Sequence, residues 1–145
     1  MEELLEWEEL EVAVDSGATE TVVGEDMLQG VETKPGDGTR RGVQYELASG
    51  DRIPNLGEKN FTAYGDKGQA RIIKAQVCDV NKPLMSVSKM VQADNTVVFS
   101  ERGSYIEDDV TKERLPLREH GGMYMLKLWV RNQSFQGPAD QSWKP

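Results

Sequence analysis

Apolar and polar residues alternate with period two along most of this chain, and that alternation predicts strands. Leu10, Val12 and Val14 share one face of a first strand that runs into a turn at Asp15. Residues 20–23 are β-prone and lead to a turn at 24–28. Residues 31–42 hold Pro35, Gly36, Gly38 and Gly42 and read as a polar loop. Residues 43–48 alternate again. Ser49-Gly50-Asp51 forms a tip, and Arg52-Ile53-Pro54 returns as the second arm of a hairpin. Pro54 lacks a backbone donor, which places that arm at an edge.

A second hairpin follows, with arms 60–64 and 69–77 around Gly65-Asp66-Lys67-Gly68. Leu84 and Met85 then end a buried strand, and Val87, Met90 and Val91 follow at helical spacing. Residues 95–99, 104–108, 113–117 and 123–129 read as four further strands. The sum is an all-β domain with one short helix.

The chain has 145 residues, enough for one domain with a core. Hydrophobic residues make up 37% and charged residues 29%, a globular balance. The formal net charge of -8 argues against nucleic acid as a partner, since phosphate binding needs a basic surface. No apolar run reaches the length of a membrane span, and the acidic start lacks the features of a signal peptide. Cys78, alone, forms no internal disulfide, so an intracellular, cytoplasmic setting is expected. One histidine and one cysteine make no conventional zinc site, so no metal and no cofactor are expected. His120 reads as a solvated loop residue, Cys78 as a small packed side chain, and the glutamate clusters as solvated faces.

The stretch that organises these pieces is Asp15-Ser16-Gly17-Ala18 at the end of the first strand. After it come a hairpin at 45–54, further hairpins, and Leu84-Met85-Ser86-Val87-Ser88 leading into a helix. In this order the chain resembles the retropepsin-like aspartic proteases. Within them it is most similar to the protease region of copia-type retrotransposon polyproteins, which share the Leu-x-Ser-Val-Ser pattern. The later matches are Val97-Val98-Phe99, Ile106-Glu107-Asp108 and Gly121-Gly122-Met123-Tyr124-Met125-Leu126, so the resemblance covers about residues 10–130. Ser86 departs from the wider family, which has glycine there.

The resemblance implies a closed or partly open β-barrel with a flap hairpin and extra C-terminal β-hairpins. It divides the chain into an acidic arm (1–9), a protease domain (10–100), a hairpin extension (101–130) and a flexible tail (131–145). It implies an aspartic endopeptidase acting on an extended peptide or polyprotein. The mechanism needs two carboxylates, and no second Asp-Ser/Thr-Gly exists in the chain. Asp15 would therefore meet its twin across the twofold axis of a homodimer. Ser16 would hold the two loops in register, Gly17 would allow close approach, and Ala18 would sit near the substrate. Thr19 or Thr21 would bond within the turn. Ser49, Gly50 and Asp51 of the flap would close over the peptide. The competing expectation is a catalytically silent module of the same fold, used for dimerisation or peptide binding. A third is an unrelated β-domain in which Asp15-Ser16-Gly17 is plain turn chemistry.

Overall fold

The computed structural model describes residues 6–133. The expected arm at 1–5 and the tail from 134 onward lie outside the described residues.

The chain is mostly β. β1 (Trp7–Asp15), β2 (Val22–Gly24), β5 (Gly57–Tyr64), β6 (Ala70–Cys78), β7 (Leu84–Ser86) and β11 (Met123–Arg131) pair in the order β1-β7-β2-β6-β5-β11. β11 also pairs with β1, so the pairings run round as a ring. β10 (Arg114–His120), β9 (Ser104–Asp108) and β8 (Asn95–Val98) continue outward from β11 as a wing. β3 (Gln44–Glu46) and β4 (Arg52–Pro54) form a separate two-stranded hairpin, with Gln44 opposite Pro54.

Alternation explains which faces turn inward. Leu10, Val12 and Val14 of β1 enter the core with Phe61 and Ala63 of β5, Ile73, Ala75 and Val77 of β6, and Leu126, Leu128 and Val130 of β11. Each large side chain so buried contributes about 1.5–3 kcal/mol of transfer free energy. Two inward positions are cationic. Lys59 sends its Nζ to the carbonyls of Leu28 (3.0 Å) and Val31 (2.6 Å). Arg71 bonds Asn95 Oδ1 and the Glu113 carbonyl (3.2 and 2.9 Å). These bonds satisfy charges that burial would otherwise leave uncompensated.

Four expectations are corrected. The acidic arm does not stop short of the first strand: β1 begins at Trp7, because β11 lies antiparallel to it from Trp7↔Arg131 to Val14↔Tyr124. Glu9 and Glu11 are exposed, and there they pair with cations of the neighbouring strands. Glu9 faces Lys127 (3.7 Å) and Glu11 faces Arg118 (3.1 Å), while Glu8 accepts the Leu28 N–H (2.9 Å). The C-terminal hairpins expected over 101–130 form, but they are not a separate extension: β11, their last strand, is a member of the ring. A second helix, α1 (Asp37–Arg40), interrupts the stretch read as a loop, besides α2 (Val87–Gln92). His120 is exposed but ends β10.

Candidate active site

Asp15 is the last residue of β1, carried to the surface where the strand gives way to a turn. Its carboxylate is held by its own loop: Oδ1 accepts the Gly17 N–H at 2.7 Å. A Cβ on Gly17 would stand 3.3 Å from that oxygen, so glycine keeps this turn tight. The Ala18 N–H reaches the Asp15 carbonyl at 3.4 Å.

The loop is fixed from behind by β7 and α2. Asp15 pairs in register with Ser86. The Ser86 hydroxyl donates to the Ala18 carbonyl (2.7 Å) and accepts the Lys89 N–H (3.2 Å), which caps α2. The Ser86 N–H donates to Thr21 Oγ1 (3.1 Å). Thr21 thus bonds to β7 and not within the turn. Ser86 is fully buried and acts as the clamp of the loop. Its capping position ahead of a helix was a signal in the sequence.

Two grooves meet at Asp15. One, of about 300 Å³, runs beneath the β3–β4 hairpin and is lined by Asp15, Gly17, Ala18, Tyr45, Leu47 and Ile53 among others. The other, of about 490 Å³, lies on the β11 side with Ser16, Leu84, Phe99, Met123 and Tyr124. No family model, curated protein or solved structure matches the chain.

The structure gathers Asp15, Ser16, Gly17 and Ala18 at one place. Ser49, Gly50 and Asp51 are exposed at the hairpin tip and do not line the groove with Asp15. The tip is a closed turn instead: Ser49 Oγ donates to Asp51 Oδ2 (3.2 Å), and Gly50 takes φ +89°. The hairpin residues beside Asp15 are Tyr45, Glu46, Leu47 and Ile53, along its arms. Sequence reasoning placed the tip and missed these side chains, although the alternation of residues 43–48 marks Tyr45 and Leu47 as sharing a face.

Cys78 is buried in the wall of the groove under the hairpin, and burial raises its thiol pKa. That keeps it protonated and poorly nucleophilic. Among the described residues no cluster of three or more histidine, cysteine or carboxylate side chains is arranged to hold a metal. No helix among them is long and apolar enough to cross a membrane.

Proposed function

We propose that this chain is a homodimeric aspartic endopeptidase that hydrolyses extended peptides, with Asp15 of each subunit at the twofold axis. The observation that carries the reading is the Asp15 carboxylate. It is held by the Gly17 N–H on a loop clamped by Ser86, at the floor of a groove roofed by a hairpin. The resemblance to copia-type proteins supports a polyprotein as the substrate.

The chemistry follows from two like charges brought close. Both cannot ionise comfortably, so the pair holds one proton; aspartic proteases are the standard illustration of this rule. The ionised Asp15 takes a proton from the bridging water as it attacks the scissile carbonyl. The protonated twin donates to the carbonyl oxygen; the proton held by the first then passes to the amine as the C–N bond breaks, and a hydroxyl of the tetrahedral intermediate returns its proton to the twin. An extended peptide beneath β3 and β4 would find Tyr45, Leu47 and Ile53 against its side chains.

The second groove at Asp15 supports the dimer. Phe99 (41% exposed) and Met123 (40%) leave an apolar face beside the reacting carboxylate. Among the described residues β8 pairs only with β9, so its outer edge is open next to Phe99. A second copy seated there would cover both and bring its own Asp15 to the axis.

The test is cleavage of a peptide library by the wild type beside Asp15→Asn, with and without pepstatin. Cleavage that is lost in the variant and blocked by the inhibitor supports the aspartic mechanism. A dimeric wild type that cleaves nothing would shift the reading to a silent peptide-binding module.

A further inference from the structure

Tyr45, Thr19 and Glu20 also line a third groove of about 490 Å³, which runs along α1 and the outer face of β6. Its other walls carry Asp37 and Arg41 at α1, Lys74 and Gln76 on β6, Glu58 on β5 and Lys89 on α2.

One buried side chain sets the shape of this groove. Asn55 donates from Nδ2 to Tyr45 Oη (2.9 Å) and to Gln76 Oε1 (2.8 Å). Its Oδ1 accepts the Thr39 hydroxyl (2.7 Å) and the Gly57 N–H (2.9 Å). Hairpin base, α1, β5 and β6 are thereby joined at one point. A Cβ at Gly38 would come within 2.8 Å of Asn55 Nδ2, so α1 sits hard against it. The walls are preorganised, and an occupant would not have to order them.

The charges in the groove are unequally matched. Glu20 is paired with Lys89 (3.5 Å), and Asp37 with Arg40 (2.8 Å). The Glu58 carboxylate is packed under Gly36 and takes the Asn60 Nδ2 at 3.5 Å. Arg41 and Lys74 have no carboxylate within 4.0 Å among the described residues. On a chain of net charge -8, Arg41 and Lys74 line a groove that shares Thr19, Glu20 and Tyr45 with the groove at Asp15; they act electrostatically on Asp37 without a close ion pair to it.

We propose that this groove receives an acidic side chain of the peptide substrate, displaced along the strand from the bond under Asp15, with Arg41 and Lys74 as its specificity-determining cations. The inference deepens the proteolytic reading and rests on it for the direction of the peptide.

The test uses short fluorescein-labelled peptides in pairs that differ only by Glu or Gln at one position, scanned along the sequence. Binding is read by anisotropy on the Asp15→Asn protein, and cleavage is read on the wild type. At one position the Glu peptide should bind about three- to fivefold tighter, the scale of a solvent-exposed ion pair. The gain should shrink as salt is raised. Arg41→Gln with Lys74→Gln should remove the preference, and Arg41→Glu with Lys74→Glu should reverse it, with unchanged urea midpoints. A Glu/Gln ratio near one at every position, or one unmoved by these variants, overturns the proposal. Cleavage without acidic preference would sink this inference and leave the protease reading standing. Acidic preference in binding without any cleavage would do the opposite. Absence of binding by every peptide would overturn both.

Discussion

The Ser86 hydroxyl and the Ala18 carbonyl are 68 positions apart in sequence and 2.7 Å apart in space. That bond ties the start of α2 to the loop that carries Asp15. The same oxygen caps the helix through the Lys89 N–H, so one buried hydroxyl serves the fold and the site together.

Ser86→Ala should therefore cost both. The Ala18 carbonyl loses its donor and α2 loses its cap, which together predict a loss of about 1–3 kcal/mol. Urea denaturation measures the loss. Cleavage should fall by more than the unfolded fraction accounts for, because the Asp15 loop is no longer held. A variant destabilised to this extent but with full activity per folded molecule would remove Ser86 from the site.

The apolar face beside Asp15 yields a prediction about assembly. Phe99→Asp with Met123→Asp places carboxylates on this face; because Phe99 also packs on Tyr124 (ring centroids 4.6 Å), a urea melt is run beside it to show the variant folded. Sedimentation should show the wild type as a dimer and the variant as a monomer, with cleavage lost alongside. A variant that stays dimeric would mean that the second copy sits elsewhere.

Acid stability should depend on the turn between β9 and β10. Asp108 Oδ1 accepts the N–H groups of Val110 (2.8 Å) and Thr111 (3.1 Å). These bonds favour the ionised carboxylate and hold its pKa below the usual 3.8. A group depressed on folding binds fewer protons in the native state than in the unfolded one. Its stabilisation is thus present above about pH 3.8 and is lost as pH falls through the folded value. Urea midpoints of wild type and Asp108→Ala should differ at pH 6, and the gap should shrink as the pH is taken below the ordinary carboxylate range. A constant gap across that range would contradict this account.

Much of the fold was legible because strands announce themselves locally. Leu10, Val12 and Val14 alternate, Gly65 to Gly68 mark a turn, and both hairpins appear where the sequence places them. The helix after Ser86 was visible from Val87, Met90 and Val91. The helix at Asp37–Arg40 was not, since it has no apolar periodicity and no buried residue. It is held from outside, by Thr39 on Asn55. The glutamates of the first strand looked like a solvated run because their cations lie more than a hundred positions later.

The sequence by itself determined the local elements and singled out Asp15-Ser16-Gly17-Ala18, because turn chemistry and alternation are properties of neighbouring residues. Only the tertiary structure decided that Met123–Arg131 completes the ring beside β1, that Ser86 clamps the loop, and that Tyr45, Leu47 and Ile53, not the hairpin tip, line the groove at Asp15. Those relationships join residues far apart in the chain. They arise from which faces can be buried together, and no local pattern encodes that choice.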